Sequence, residues 1–366
     1  MTGHTPGGGT GFVPPPYPYE RLGEIAAVAA RSGGPVDLSV GTPCDPPFGP
    51  VLAALAAGDT ARGYPPSIGT PALRAAAAAW IARRLGARVE ADQVAACVGT
   101  KEFVASVPQY LRLRDPSRDT VLYPAISYPT YEMGATLGGC RAVAYRALSE
   151  IGEDDAARAL CIWVNSPGNP TGDLADLAAA ARWGRARGVP VLSDECYAEF
   201  TWDGPATTVL RSGTAGVIAV HSLSKRDNFA GARVGFYAGD ADLVHYLREV
   251  RKHAGLMVPG PVQAAAVVAL EDDGHVDAQR ERYRARLARL REVLAACGYD
   301  APMPAGGFYL WSAAADPWAA ARDLAERAGI VVSPGEFYGA AGADHFRVAA
   351  VAPDEVIEAV ARRVGC

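Results

Sequence analysis

A lysine stands among two serines and an arginine in the stretch AVHSLSKRDNFAGARVGF, residues 219–236. Ser222 and Ser224 precede Lys225 closely, and Arg233 follows it eight positions later. A lysine amine forms a Schiff base with a carbonyl group when its surroundings favour the neutral amine. Hydroxyl groups and a guanidinium bind phosphate, and the guanidinium does so through two parallel hydrogen bonds. The stretch therefore suits a ligand that carries both an aldehyde and a phosphate.

The elements that must position these groups are short apolar runs, which alternate with alanine-rich helical stretches between about residues 50 and 270. Such alternation is typical of an α/β protein with a mostly parallel sheet. The candidate strands are VAACV (94–98), TVLYP (120–124), LCIWVN (160–165), VPVLSD (189–194) and GVIAVH (216–221). The last three are continuously apolar, as expected of strands that are covered on both faces.

Polar residues follow the carboxyl ends of these runs. The LCIWVN run leads into NSPGNPTG (165–172), and the VPVLSD run ends on Asp194, with Tyr197 three residues later. The VAACV run leads into GTKE (99–102), where the free amides of a predicted helix could hold an anion. Because ligands bind outside the carboxyl ends of parallel strands, we expect these groups and Lys225 to meet at one edge of the sheet.

Each feature alone has an ordinary structural explanation. A lone lysine is usually a solvated surface residue, an aspartate after a strand usually caps a turn, and NSPGNPTG by itself is a turn cluster. Together the groups fit pyridoxal 5'-phosphate: its aldehyde needs a lysine and its pyridine nitrogen a carboxylate. Its ring oxygen needs a phenol or amide, and its phosphate needs amides, hydroxyls and an arginine. We therefore predict that Lys225 binds the aldehyde, while Ser222, Ser224 and Arg233 help to bind the phosphate.

The chain also resembles the fold-type I, class I/II aminotransferases. SLSKRDNFAGARVG is similar to the Schiff-base signature of that family, and the resemblance continues over nearly the whole chain from about residue 17. Further similar stretches are SVGTPCDPP (39–47), GYPPSIGTPALR (63–74), GTKE, SYPTYEMGA (127–135), NSPGNPTG, SDECY (193–197), GGFYLW (306–311), PGEFYG (334–339) and FRVA (346–349). The resemblance implies a PLP-dependent transferase fold of the aspartate aminotransferase type, with a large, mostly parallel sheet domain and a smaller α+β domain.

The resemblance implies a role for each matching residue. The catalytic residues would be Lys225, Asp194 and Tyr197. Lys225 would move protons, and Asp194 would face the pyridine nitrogen. The cofactor-binding residues would be these three with Gly99, Thr100, Lys101, Tyr128, Asn169, Ser222, Ser224, Arg233 and, from a neighbouring subunit, Tyr64. The substrate α-carboxylate would be held by Arg347, with Asn169 and the backbone at Gly41. A homodimer with shared active sites follows from the role of Tyr64.

Within the family, several stretches resemble the actinobacterial N-succinyldiaminopimelate aminotransferases of lysine biosynthesis. This implies transfer of an amino group from glutamate to a 2-oxo acid such as N-succinyl-2-amino-6-oxopimelate. The chain departs from that subgroup at Gly168, at Ala232, where the relatives have a tyrosine, and at Asp227, where they have a small polar residue. We expect the last two departures to reshape the pocket. The alternative is a PLP enzyme of specialised metabolism that performs β- or γ-elimination, replacement or ring formation.

Composition limits the other classes of function. The 366 residues carry a net charge of -5, which gives no reason to expect a nucleic-acid partner. The arginines of 279–292 are predicted to form the solvated face of an amphipathic helix whose apolar face contains Tyr283, Leu287, Leu290 and Leu294. No apolar run reaches membrane-spanning length, and the six histidines show no metal-ligand spacing. A non-enzymatic sensor on the same fold would need a DNA-binding module, for which the N-terminal arm is too short.

The seven cysteines lack CxxC spacing, so we expect reduced thiols in a cytoplasmic protein. Four segments are predicted along the chain. They are a flexible arm (1–16), a segment that joins the small domain (17–48), a large PLP-binding domain (49–272) and a small C-terminal domain (273–366).

Overall fold

The structure is a computed structural model and describes residues 11–366, so the first ten residues of the predicted arm lie outside the described residues. The α-helices in the described part are α1 (Gly23–Arg31), α2 (Gly49–Ala56), α3 (Pro71–Trp80), α4 (Thr100–Arg114), α5 (Thr130–Leu137), α6 (Glu153–Arg158), α7 (Leu177–Arg187), α8 (Leu223–Arg226), α9 (Ala241–His253), α10 (Gly260–Glu271), α11 (Gly274–Ala296), α12 (Pro317–Ala328) and α13 (Asp354–Val364). The strands are β1 (Val36–Asp37), β2 (Val94–Cys97), β3 (Thr120–Pro124), β4 (Arg141–Tyr145), β5 (Ala159–Asn165), β6 (Val191–Asp194), β7 (Val217–Ser222), β8 (Gly235–Gly239), β9 (Tyr309–Ala313), β10 (Ile330–Val331), β11 (Ser333–Pro334) and β12 (His345–Ala349).

A seven-stranded sheet with the order β2-β8-β7-β6-β5-β3-β4 forms the centre of the molecule. Only β8 runs antiparallel to its neighbours in this sheet. The five predicted strands coincide with β2, β3, β5, β6 and β7, and the mostly parallel α/β fold is confirmed. Two strands of this sheet lack a recognisable pattern in the sequence. β8 has only three residues between two glycines, and β4 is a partly exposed edge strand.

Helices cover both faces of this sheet, which explains the continuous apolar runs of its central strands. One face packs against buried side chains of α2, α3, α7 and α10. The other face packs against α4, α5 and α9. With both faces covered, the carboxyl edge of the parallel strands is the place where polar side chains can reach a ligand.

The C-terminal part contains a smaller antiparallel sheet of β11, β12 and β9. Its buried cluster draws side chains from α11, α12 and α13, and also from residues 22–38 near the N-terminus. This packing agrees with a joining segment at 17–48, and the exact domain boundaries stay a prediction. None of the helices within residues 11–366 has the length and hydropathy that a membrane span needs.

Helix α11 confirms the predicted amphipathic helix, since Tyr283, Leu287, Leu290 and Leu294 are all buried. The interpretation of its arginines as a solvated face was wrong at Arg286, which is 3% exposed. Arg286 donates two hydrogen bonds, of 2.6 and 2.8 Å, to the carboxylate of Asp45. Because a buried guanidinium is stable only when paired, the predicted polar face here holds the N-terminal segment against α11.

Candidate active site

A cavity of about 360 Å³ opens at the carboxyl ends of β5, β6 and β7. Its volume is that of a small-molecule site. Strand β7 ends at Ser222, whose side chain accepts a 3.1 Å hydrogen bond from the amide of Ser224 and so starts the single turn of α8. This turn points the Lys225 side chain into the cavity, where Nζ donates to the carbonyl oxygen of Gly41.

The environment of Lys225 favours the neutral amine. Burial disfavours the ammonium ion, the positive charges of Arg347 and Arg233 repel it, and together they lower the pKa of Lys225 to about 8. A lysine with such a pKa is partly deprotonated near neutral pH. It can therefore act as a nucleophile towards an aldehyde and as a proton carrier.

Asp194 is the last residue of β6 and is only 7% exposed. Burial raises the pKa of its carboxyl group, although hydrogen bonds from Cys196 and Tyr131 oppose the rise. The Tyr131 hydroxyl donates to Oδ2 at 2.9 Å, and the Cys196 amide donates to Oδ1 at 3.2 Å. No described cation forms an ion pair with Asp194. A buried carboxylate held only by neutral donors is suited to a cationic ligand group, such as a protonated pyridine nitrogen.

Gly99 and Arg233 lie close together at the start of α4. Gly99 is the N-cap residue, so the amides of the first turn lack intrahelical acceptors, and Thr100 in this turn lines the cavity. Arg233 adopts a left-handed backbone conformation with φ 57°, and its Nη1 donates to the carbonyl oxygen of Ala230 at 2.9 Å. It makes no ion pair with the residues that the structure describes. The free amides, the hydroxyls of Ser222 and Ser224 and this guanidinium fit a phosphate.

Arg347 on β12 supplies a buried cation at the cavity, and it is 2% exposed. Its Nη1 donates to Oδ1 of Asn169 at 2.7 Å, and its Nη2 donates to the carbonyl oxygen of Ser39. The guanidinium lies over the rings of Tyr309 and Tyr338, at 4.1 and 4.7 Å from their centroids. Its Nε is buried without a partner among the described residues. Because these partners are neutral, the charge remains available for a carboxylate.

Most of the predicted site residues line this single cavity. They are Gly41, Thr100, Lys101, Tyr128, Asn169, Asp194, Tyr197, Ser222, Ser224, Lys225, Arg233 and Arg347. Gly99 is not part of the cavity wall but lies close to the guanidinium of Arg233. Tyr64 is 97% exposed and is not part of the cavity wall.

The sequence interpretation missed several residues of the wall, notably Tyr17, Tyr19, Asn165, Cys196 and Tyr309. Tyr309 shares a 2.6 Å hydrogen bond with Tyr197, hydroxyl to hydroxyl, and so fixes the phenol that was expected at the ring oxygen. The stretch GGFYLW, which contains Tyr309, was the available signal for this residue. Nothing in the local sequence distinguishes Cys196 or Tyr19 as a wall residue.

Neither Asp227 nor Ala232, the two departures expected to reshape the pocket, lines the cavity, and their effect on its shape stays a prediction. Asp227 is 1% exposed and pairs with Arg226 and His275 on the far side of the turn. Ala232 packs against the apolar cluster beneath the sheet. The Asp227 carboxylate therefore contacts the elements that support the Lys225 turn and not the cavity wall.

The fold and the site define a PLP-dependent enzyme of the aspartate aminotransferase type. The chain belongs to the family "Aminotransferase class I and II", which it matches over residues 34–364. Enzymes of this family use pyridoxal phosphate, and the buried amine, carboxylate and anion site described above fit that group. The protein is a PLP-dependent aminotransferase.

Three known proteins illustrate the similarity. The chain is 44% identical over 370 residues to a probable aminotransferase of Mycobacterium tuberculosis, covering 98% of this chain and 87% of that protein. It is 43% identical over 360 residues to the 4-dedimethylamino-4-oxo-anhydrotetracycline transaminase of Streptomyces rimosus, covering 96% and 99% respectively. The solved structure of a probable N-succinyldiaminopimelate aminotransferase from Thermus thermophilus is 28% identical, with a TM-score of 0.84 over 94% of this chain and 98% of that one.

Proposed function

We propose that this aminotransferase takes the amino group of glutamate and transfers it to a 2-oxo acid, with N-succinyl-2-amino-6-oxopimelate as the candidate acceptor. The observation that carries this proposal is Arg347, a buried cation at the cavity whose hydrogen-bond partners are all neutral. A guanidinium in such a place binds the carboxylate that glutamate and 2-oxo acids share. Arg347 and Lys225 line one cavity. A substrate whose carboxylate is bound by Arg347 would therefore have its α-carbon in the same cavity as the Lys225 amine.

Each residue of the site has a distinct part in this proposal. Bound pyridoxal phosphate supplies an aldehyde that links to amines and an electron-poor ring that accepts the negative charge of the substrate α-carbon. Lys225 holds the aldehyde at rest and then moves the α-proton. Asp194 keeps a positive charge on the ring nitrogen. The ring oxygen is bound by Asn169 and Tyr197, and the ring face by Tyr128.

The phosphate group of the cofactor would be bound at the start of α4. The groups that bind it would be the amides after Gly99, Thr100, the two serines before Lys225, and Arg233. The proposed homodimer adds Tyr64 of a neighbouring subunit. Its near-complete exposure supports a contact with a second chain, because tyrosine rings usually bury part of their surface.

The further carboxylates of an N-succinylated acceptor require a cation near the mouth of the cavity. Lys101 lines the cavity, and its Nζ lies 3.4 Å from the hydroxyl of Tyr17 without an acidic partner among the described residues. Arg251, another basic residue, is 1% exposed and paired with Glu102 at 2.6 Å. Lys252 is paired loosely with Glu249 and lies outside the cavity wall. These contacts favour Lys101 as the residue that binds the distal carboxylate of an N-succinylated acceptor.

A second acceptor class is a ring ketone. It is supported by the Streptomyces rimosus relative, whose name describes transamination of an oxo-anhydrotetracycline. The β- or γ-elimination alternative stays open, although Asp227 and Ala232, which motivated it, do not line the cavity.

The test is a pair of half-reactions on the PLP-loaded enzyme. Glutamate should convert the bound cofactor to its amine form and release 2-oxoglutarate. The acceptor that restores the aldehyde spectrum then identifies the substrate class: N-succinyl-2-amino-6-oxopimelate for the main proposal, a polycyclic ketone for the second. Absence of any amino exchange, together with release of a β- or γ-leaving group, would contradict the proposed transamination.

A further inference from the structure

The turn that carries Lys225 is held from the side that faces away from the cavity. Asp227 is the C-cap residue of α8, and its amide donates to the carbonyl oxygen of Leu223 at 3.1 Å. Its buried Oδ1 accepts a 2.5 Å hydrogen bond from Nη1 of Arg226 and lies 2.9 Å from Nε2 of His275. Asp227 therefore joins the lysine turn directly to the first turn of α11.

His275 sits between two carboxylates. Its Nδ1 lies 2.6 Å from Oδ1 of Asp272, opposite the contact with Asp227. The ring also stacks on Phe48, with a centroid distance of 4.9 Å and an interplanar angle of 1°. A protonated imidazole donates from both nitrogens, whereas a neutral one donates from only one. Both carboxylate contacts are therefore hydrogen bonds only when His275 is charged.

The surroundings of His275 favour that charge. Burial disfavours the imidazolium, but hydrogen bonds to Asp227 and Asp272 outweigh burial and raise the pKa of His275. The remaining charged group that faces it is Arg226, behind Asp227, which weakens the effect. Phe48, from the N-terminal segment, contributes only its apolar ring.

Helix α11 connects this contact to the C-terminal part of the molecule. Asn228 Nδ2 donates to Oε1 of Gln279 at 3.2 Å, one turn after His275. From Tyr283 onward the buried side of α11 belongs to the cluster that also contains β9 and β12. The lysine turn is thus bound to a helix whose far half belongs to the same buried cluster as β12, the strand that contains Arg347.

We propose that Asp227 and His275 are positioning residues: the protonated imidazole fixes the Lys225 turn to α11 and so sets where the amine stands relative to Arg347. This inference rests on the proposed role of Lys225. Neither residue touches the cavity, so the pair acts on Lys225 only through the turn. A shift of the turn changes the distance between the amine and the two arginines that repel its proton, and therefore its proton affinity.

The first measurement is the melting temperature of the cofactor-free protein from pH 6 to 9. The folded pKa of His275 lies above its unfolded value of about 6.5. The stabilising contribution is therefore complete below about pH 6.5 and disappears as the pH rises through the folded pKa. The difference in melting temperature between wild type and His275→Gln should be largest at pH 6 and should shrink towards pH 9. His253→Gln, an exposed histidine at the end of α9, is the matched control and should show no such trend.

The second measurement is the pH midpoint of the absorption change of the PLP-loaded enzyme, for wild type, Asp227→Ser, His275→Gln and the double variant. We expect both single variants to shift the midpoint and the double variant to shift it no further, because both break one link. The value of kcat should fall about tenfold, while KM should stay nearly unchanged. This loss is smaller than the ~100-fold loss that a 1 Å misplacement causes. Asp227→Asn, which keeps the side-chain size, provides a second variant if Asp227→Ser fails to fold.

Two results would overturn the inference: variant midpoints equal to that of wild type, or shifts that add in the double variant. A wild-type protein that binds pyridoxal phosphate and transaminates while its variants behave like the control contradicts the positioning pair alone. A wild-type protein that does not bind the cofactor contradicts the proposed function instead. In that case the melting series still tests the link between Asp227 and His275.

Discussion

The Nη2 atom of Arg233 lies where a side chain at residue 99 would begin, because a β-carbon built on Gly99 would be only 2.1 Å from it. Gly99 also has φ 75° and ψ 150°, a conformation that residues with a side chain rarely adopt. The absence of a side chain thus lets a guanidinium and the first amides of α4 face one point in the cavity. The anion site depends on this close approach.

Gly99→Ala should weaken the binding of pyridoxal phosphate at least about tenfold, or ~1.4 kcal/mol. The new methyl group displaces the far end of the flexible Arg233 side chain, so the fold should persist while the anion site opens. A titration of the cofactor-free protein by absorbance measures the dissociation constant. Gly139→Ala is the control, since Gly139 has φ 64° and no atom within 4 Å of the added carbon. Equal affinities for the two variants would remove Gly99 from the proposed phosphate site.

Arg347→Met should remove the carboxylate clamp while keeping a side chain that fits between Tyr309 and Tyr338. We expect kcat/KM for glutamate to fall ~30- to 1,000-fold, which corresponds to a loss of about 2–4 kcal/mol in transition-state stabilisation. A loss of this size is typical when a buried hydrogen-bonded charge loses its partner. The measurement compares glutamate with a primary amine that lacks the α-carboxylate. The amine should react equally well with both enzymes. A parallel loss for the amine would show that Arg347 supports the structure and does not bind the carboxylate.

Capture of pyridoxal phosphate by the cofactor-free protein should accelerate with pH through a midpoint near 8, because only the neutral Lys225 amine attacks the aldehyde. At pH 7 about a tenth of the amine is neutral, whereas an ordinary lysine, with a pKa of about 10.4, would be almost fully charged. Stopped-flow absorbance between pH 6.5 and 9.5 measures the rate, with a free alkylamine as the reference. Arg347→Met should raise the midpoint, since the charge of Arg347 lowers the pKa of Lys225. A midpoint near 10 in wild type would contradict the described environment of the lysine.

Asp194→Asn removes the negative charge but keeps an oxygen that can accept from the Tyr131 hydroxyl. We expect kcat to fall by about 100- to 1,000-fold, which is the loss typical of a missing electrostatic partner at the reacting centre. Tyr131→Phe removes only one neutral hydrogen bond to Asp194 and should cost far less. Rapid-mixing measurements of the glutamate half-reaction separate this chemical step from binding. A similar kcat for Asp194→Asn and wild type would exclude an ionic contact with the ring nitrogen.

The sequence predicted the site residues that lie at or just after the end of a buried strand. Asp194 is the last residue of the VPVLSD run, and Lys225 lies four residues beyond the GVIAVH run. The topology of a parallel sheet brings such positions together. The same reasoning missed β8, because a strand of three residues between glycines carries no periodic signal. It also missed Tyr309, whose place beside Tyr197 depends on how the C-terminal part packs against the large sheet.

Two expectations show where sequence reasoning lacks information. Asp227 is two residues from Lys225, yet its side chain points to the opposite side of the turn, and neither periodicity nor a motif in a single turn specifies that direction. Arg286 is on the arginine-rich face of α11, but Asp45, far away in sequence, buries it through an ion pair. In both cases a contact between distant segments determines the environment, and that contact cannot be inferred from local spacing.

The Lys225 amine is expected to bind pyridoxal phosphate covalently, and the roles of the other site residues depend on this bond. Borohydride reduction of the loaded enzyme, followed by proteolysis and mass spectrometry, tests it most directly. We predict that the peptide containing Lys225 carries the reduced cofactor, that no other lysine peptide does, and that Lys225→Ala protein remains unlabelled. Labelling of a different lysine, or undiminished labelling of Lys225→Ala, would contradict the account.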